Sequence, residues 1–221
     1  MKKTFAAHLP YAPQLDELET AEVANCLEEV GTRFSVESLN WPDQFPYRPL
    51  TVVSAAHSGK YIYLDFLVRC NYLRAVNYTP NSPVSEDSCV EFFVSPEPGS
   101  RNYWNFEFNC IGTVLAEYHP DGAPARFLTP EELSGIKVYA SVGTRPFQEV
   151  EGSFIWSIVA AIPLSLLGFE YDGTAMKLRA NFNKCASATS QPHYLSWAPI
   201  STPAPDFHRP EFFADLILES K

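Results

Sequence analysis

The side chains best suited to chemistry in this sequence lie on three runs of alternating character. In NFEFN, Asn105, Glu107 and Asn109 alternate with Phe106 and Phe108; in SCVEFF, Glu91 alternates with Val90 and Phe92. In LRANFN, Arg179, Asn181 and Asn183 alternate with Leu178, Ala180 and Phe182. Successive side chains of an extended chain point to opposite faces, so each run turns its apolar members inward and a row of amides and charges the other way. Carboxylate, amide and guanidinium groups on one surface can both accept from and donate to hydroxyl groups, which is the chemistry of sugar recognition. An aromatic ring beside them would supply a flat apolar wall for a pyranose. The plainer alternative is the solvated face of an antiparallel sheet, and periodicity alone favours it. Asparagine is a poor strand former, however, and four of them in two strands call for a further reason.

Other candidates flank these runs. Lys184 ends the third run, where it could reach a ligand hydroxyl or acid group, or be a solvated edge lysine. The loop PDFHRP brings Phe207, His208 and Arg209 together. Loops concentrate functional groups, and His208 and Arg209 are the better candidates there, with pairing to a surface carboxylate as the alternative. Asp87 and Asp206 could cap backbone groups, bind calcium or contact ligand. Glu91 and Glu107, on strands that could be neighbours, could also form the carboxylate pair of a glycosidase. No G-x-S-x-G, H-E-x-x-H or Cys/His dyad signature accompanies them. Trp156 alternates within an apolar strand and reads as core; Trp41 reads as sealing one end of the fold, and Trp197 fits either role.

The elements that would position these groups are short strands. The chain has 221 residues, 46% hydrophobic and 19% charged, too apolar for disorder and long enough for one large core. Strands are expected at 51–56, 61–70, 88–95, 102–110, 113–119, 137–143, 154–162, 177–184 and 214–220, separated by turn residues such as Pro120-Asp121-Gly122. That spacing predicts an all-β, antiparallel sandwich of jelly-roll type and excludes a doubly wound sheet. Thr20 to Val30 reads as a short helix capped by Thr20 and stopped by Gly31. Residues 1–32 are thus a lead-in packed on a domain spanning 33–221.

The formal net charge is −10, which opposes binding to nucleic acid or an anionic membrane surface and costs nothing for a neutral ligand. The five cysteines are odd in number and lack C-x-x-C spacing, so buried free thiols are expected in place of a zinc knuckle or a disulfide framework. The segment after Met1-Lys2-Lys3 has no apolar h-region, and a cytoplasmic location is expected.

Taken in order, EDSCVEFF, NFEFNCIGT, RANFNKC, PHYLSWAPI and PDFHRPEFF resemble the family 9 carbohydrate-binding modules over roughly residues 33–220. The resemblance implies a β-sandwich that binds terminal sugars of plant-type polysaccharides without cleaving them, often with structural calcium, in a family commonly attached to glycoside hydrolases. It implies a two-tryptophan clamp. One clamp position falls near Val84 or Ser85, and the other at Phe207. Glu91 and Asn109 match sugar-contacting positions, while Glu107 stands where an arginine is expected. Trp104, Trp197 or Tyr194 are candidates to rebuild the missing wall. No D-x-D-x-D-G loop specifies calcium ligands. The expected partner is a mono- or oligosaccharide; a hydrolase or lyase, a scaffold domain without a ligand, and a homodimer stay open.

Overall fold

The alternation seen at Tyr61 continues further than its apolar residues require, giving a strand from Tyr61 to Ala75 in a computed structural model that describes residues 6–221. It pairs along almost its whole length with an equally long strand, Phe147–Pro163. In chain order the strands are β1 (Ala6–Leu9), β2 (Thr32–Ser35), β3 (Ser38–Leu39), β4 (Leu50–His57), β5 (Tyr61–Ala75), β6 (Cys89–Ser95) and β7 (Tyr103–Asn109). They continue with β8 (Val114–His119), β9 (Arg126–Phe127), β10 (Lys137–Ala140), β11 (Phe147–Pro163), β12 (Met176–Cys185), β13 (Tyr194–Ser196) and β14 (Ala214–Leu218).

Two sheets form. The smaller runs β10-β11-β5-β4-β2, and the larger runs β1-β14-β12-β6-β7-β8-β9, with β13 joining β12 and β3. One edge of β12 is shared: residues 176–180 pair with β14, and residues 183–185 with β13. All pairings between these strands are antiparallel except β1 with β14. The β-sandwich read from the strand spacing is therefore the fold of the chain.

Between the sheets lies one aromatic and aliphatic core. Phe92, Phe106, Phe108 and Phe182 of the larger sheet meet Val53, Leu64, Phe66 and Trp156 of the smaller, all buried. Phe92 stacks on Phe182 at 5.1 Å between ring centroids, and Phe66 meets Phe182 edge-on at 6.2 Å. Offset and edge-to-face pairs of this kind add about 0.5–1.5 kcal/mol each beyond burial.

A second apolar layer covers the other face of the larger sheet. Trp41, Phe93, Tyr103, Phe207 and Phe213 cluster there, contributed largely by segments before β4 and after β13. This layer overturns the solvated-face alternative: Glu91, Asn105, Asn109, Asn181 and Asn183 are each at most 2% exposed.

The helix α1 (Val23–Val30) buries Val23 and Leu27 on the outside of the smaller sheet, beside Tyr63 and Val159. It starts two residues later than the capping argument places it, with Glu22 in place of Thr20 as N-cap and no side-chain cap bond. Gly31 does end it, since a Cβ there would lie 2.6 Å from the Leu27 carbonyl oxygen. No helix among the described residues is long and apolar enough to cross a membrane.

Candidate functional site

The register of β12, β6 and β7 sets three ladders across the covered face of the larger sheet. Cys185 faces Cys89, which faces Asn109; Asn183 faces Glu91, which faces Glu107; Asn181 faces Phe93, which faces Asn105. Over the part of this face held by Glu91, Glu107, Phe93 and Cys185 opens a cavity of about 310 Å³, near the lower end of small-molecule sites. Tyr194, Phe207 and His208 wall it, and Ser85, Ser187, Pro205 and Asp206 complete its lining.

The aromatic walls are held by further rings. Phe207 packs on Trp41 and Tyr194, each at 6.1 Å, and Phe45 meets Tyr194 edge-on at 4.8 Å. Trp41 donates its indole N–H to the Thr202 carbonyl at 2.8 Å, so it buttresses Phe207 from behind. This agrees with its reading as a seal.

The polar floor is a connected network. Cys185 donates its S–H to Glu91 Oε1 at 2.9 Å, and Asn183 Nδ2 donates to Glu91 Oε2 at 3.2 Å. Asn105 Nδ2 donates to Glu107 Oε1 at 3.0 Å, while Asn105 Oδ1 meets His119 Nε2 at 2.9 Å. Beside them Tyr103 stacks on His119 at 4.4 Å, and its hydroxyl meets His208 Nδ1 at 3.0 Å. Glu107 Oε2 and Asn183 Oδ1 are buried with no hydrogen-bond partner among the described residues.

Burial dominates the electrostatics. It pushes the Glu107 carboxyl up to about 7, partly offset by the Asn105 hydrogen bond. It also drives Glu91 well above the usual carboxylate range, with Cys185 and Glu107 adding to the rise. Like charges directly opposite on neighbouring strands repel, so at least one proton on this pair is favoured near neutral pH. Burial and the neighbouring His119 hold His208 below its ordinary value, which favours the neutral ring.

Of the residues singled out from sequence, the structure brings Glu91, Glu107, Phe207 and His208 to the cavity, and Asn105 directly behind it. The others are elsewhere, each for a definite reason. Asn109 spends its amide on the Asn77 carbonyl and on Asp87 Oδ2, at 2.7 and 2.9 Å. Asn181 holds the backbone of Ala198 and of Phe182. Both are structural, because an amide buried beside free backbone groups is worth most when it satisfies them. Arg179 lies 3.7 Å from Asp215 and lines a different cavity, with Ser95 and Arg101. Arg209 turns outward to Asp206 at 2.8 Å.

Lys184 is the plainest correction. The period that turns Leu178, Ala180 and Phe182 inward turns Lys184 inward too, and it is 1% exposed. Its ammonium donates to the Cys185 carbonyl at 2.6 Å and lies 5.7 Å from the Trp156 ring centroid.

Among the three aromatic candidates for a rebuilt wall, Tyr194 lines the cavity. Trp197 and Trp104 pack into the inter-sheet core. Asp206, read from sequence as a cap, a calcium ligand or a ligand contact, lines the cavity, and Cys185 and Phe93 also reach it without having been singled out. For Cys185 and Phe93 the strand parity shared with Asn183 and Glu91 was the available signal.

Among the described residues, no group of three carboxylates is arranged to hold calcium. Among the described residues, the one group of three or more side chains arranged to hold a metal is Cys89, Glu91 and Cys185, whereas calcium takes about six to eight oxygen ligands. Asp87, the nearest acidic alternative, has both oxygens engaged by Arg74, the backbone N–H groups of Val76 and Asn77, and Asn109.

Comparison with known proteins places this architecture. No curated protein matches the sequence. A crystal structure of a Bacteroides uniformis ATCC 8492 protein, provisionally named carbohydrate-binding, shares 34% identity over 98% of this chain and 99% of that one, with a TM-score of 0.89. A family 9 carbohydrate-binding module from Caldicellulosiruptor kristjanssonii in complex with glucose superposes with a TM-score of 0.60 at 11% identity, over 98% of this chain and 97% of that one. Its complex with cellotriose gives 0.58 at 11% identity, over 98% and 95%. The model of carbohydrate-binding family 9 matches residues 22–218. With the family model matching residues 22–218 and a relative of 34% identity matched over 98% of the chain, the chain belongs to carbohydrate-binding family 9.

Proposed function

We propose that this protein holds a neutral mono- or oligosaccharide in the cavity over Glu91 and Glu107, and does not cleave it. The observation that carries the reading is the pairing of two aromatic walls, Phe207 and Tyr194, whose rings stand at 63° to one another, with a floor whose carboxyls lie in one ladder. The walls supply apolar area for the C–H face of a ring. A carboxyl pair sharing protons both donates to and accepts from hydroxyls. Family membership and the two sugar complexes of the Caldicellulosiruptor module support the same ligand class.

Geometry argues against hydrolysis by this pair. The spacing of direct cross-strand partners, about 4.5–5.5 Å between Cβ atoms, is close to that of a retaining pair, but here both carboxyls rise side by side from one floor. A glycosidase needs its two carboxyls on opposite sides of the scissile bond. The acid-lined floor and the chain's net charge of −10 also disfavour uronic acids, nucleic acid and anionic lipid.

Calorimetric titration with glucose, cellotriose and glucuronate tests this. At about −0.3 kcal/mol per heavy atom, a site for one or two rings should bind neutral sugars with a Kd of roughly 10 µM to 1 mM, and glucuronate more weakly. Absence of heat with a broad panel of neutral sugars, or unchanged binding in both Phe207→Ala and Glu91→Gln, would overturn the reading.

A further inference from the structure

Cys185 and Cys89 are direct cross-strand partners on β12 and β6, and Glu91 is the next residue along the same face of β6. Two Sγ atoms and a carboxylate oxygen of these residues lie within 4.8 Å of one another, all buried. Cys185 and Glu91 reach the cavity, so the cluster has a route to solvent. Two sulfurs with one oxygen do not suit calcium or magnesium, which take oxygen alone, but do suit a borderline-soft ion without geometric demands, such as Zn²⁺. Around a tetrahedral ion with bonds of about 2.3 Å to sulfur and 2.1 Å to oxygen, ligand atoms stand roughly 3.5–3.8 Å apart. The cluster brackets that spacing, with Cys185 Sγ 2.9 Å from Glu91 Oε1 and all three ligand atoms within 4.8 Å of one another. The S–H proton joining Cys185 to Glu91 is one that ion binding would displace.

A second observation points the same way. Asn183 Oδ1 and Glu107 Oε2, both from residues flanking Glu91 in its ladder, are buried acceptors without donors among the described residues. A water on an ion at this cluster would donate to such acceptors.

We propose that Cys89, Cys185 and Glu91 form a binding site for a thiophilic divalent ion of the zinc type, with its fourth position open to the cavity. The exchange balances without a redox partner. Binding releases the two thiol protons to solvent, with a third where Glu91 is protonated, and forms two metal–sulfur bonds and one metal–oxygen bond. Two thiolates, a carboxylate and a divalent ion leave one negative charge, which the buried Lys184 ammonium, felt by both thiols, offsets.

The test uses the whole chain, reduced and freed of metal with a chelator, titrated with Co²⁺ in the absence of sugar. One equivalent should produce thiolate-to-cobalt charge-transfer absorption and tetrahedral visible bands, displaced by Zn²⁺. The charge-transfer band should fall by about half or disappear in Cys89→Ser and in Cys185→Ser, and persist in Cys110→Ser. Glu91→Gln should weaken binding at least about tenfold. Should either serine variant fail to fold, protection of Cys89 and Cys185 in the unmodified chain by one equivalent of Zn²⁺, against alkylation at a urea concentration where both thiols of the metal-free chain react, decides instead when read by mass spectrometry. No thiolate absorption, absorption kept at full strength in folded serine variants, or no protection would overturn the proposal. The inference goes beyond the saccharide reading, and because cobalt is read without sugar, either can fail alone.

Discussion

Glu91 and Glu107 are direct cross-strand partners on a buried floor: both oxygens of Glu91 accept hydrogen bonds, while Glu107 has one oxygen engaged and one without a partner among the described residues. Two acids so placed cannot both ionise without cost. The consequences reach stability, ligand choice and the response to pH.

Stability should fall as pH rises through the carboxyl range. The folded Glu107 carboxyl titrates at about 7 against an ordinary 4.5. The native state therefore holds its proton over an interval in which the unfolded chain has lost it. This stabilising contribution is complete below about 4.5 and gone above about 7, a change of roughly 3 kcal/mol. Glu91 shifts in the same direction, and Asp65, pushed up to about 6 by burial, adds to the slope. Glu107→Gln keeps an oxygen for the Asn105 amide and should flatten this part of the profile. Urea midpoints measured from pH 4.5 to 7.5 check it; an equally steep slope in the variant would contradict the account.

Removing the Phe207 ring should cost both ligand and fold, since the ring is also buried in the second apolar layer. It is the wall contributed by the closing loop, backed by Trp41 and Tyr194. Phe207→Ala should weaken a neutral sugar about five- to tenfold, the worth of one stacking contact, and Phe207→Trp should restore or exceed the original affinity. Titration calorimetry of the three proteins reads this directly.

Asn109→Ala should damage the fold. Its amide completes the shell of Asp87, a fully buried carboxylate that also holds the Arg74 guanidinium at 2.6 Å. Losing Asn109 should cost about 1–3 kcal/mol of unfolding free energy. Asp87→Ala, which strands a largely buried guanidinium, should cost about 3–5 kcal/mol. Denaturant titration checks both. A chain with Asn109→Ala at full stability but without sugar affinity would return this residue to the ligand site.

Lys184→Met should leave sugar affinity unchanged, because the ammonium lies on the inter-sheet side of β12. Burial lowers its affinity for a proton, which marks a charge held at a cost. A thioether of similar length should therefore be neutral or stabilising by up to a few kcal/mol. A marked drop in the urea midpoint would show that the ammonium satisfies more than the Cys185 carbonyl.

How far the sequence could be read follows from the range of each force. The long runs around Tyr61, Phe92, Phe106 and Phe182 announced strands because a period of two over several residues is a local property. Their apolar sides formed the core as expected, with Trp156 and the stacked Phe92 and Phe182 inside it. Short strands such as β1, β3, β9 and β13 carry too few residues to show a period. β1 owes its strand state to pairing with β14 at the other end of the chain. The start of α1 likewise escaped the capping argument, since packing of Val23 and Leu27 on the smaller sheet outweighed the preference of Thr20 for a cap.

For the site, residue type and alternation by themselves established that Glu91, Glu107 and Asn105, like the asparagines of β12, lie on the non-core sides of their own strands, and that Phe207 and His208 come from one loop. Only the tertiary structure decided that this face is covered, that Asn109 and Asn181 are consumed by backbone groups, and that Tyr194 stands opposite the floor. It alone set Cys89 beside Cys185. Alternation is written in neighbouring residues, whereas burial and cross-strand register depend on which distant segments fold over one another, and that is settled by the energy of the whole core.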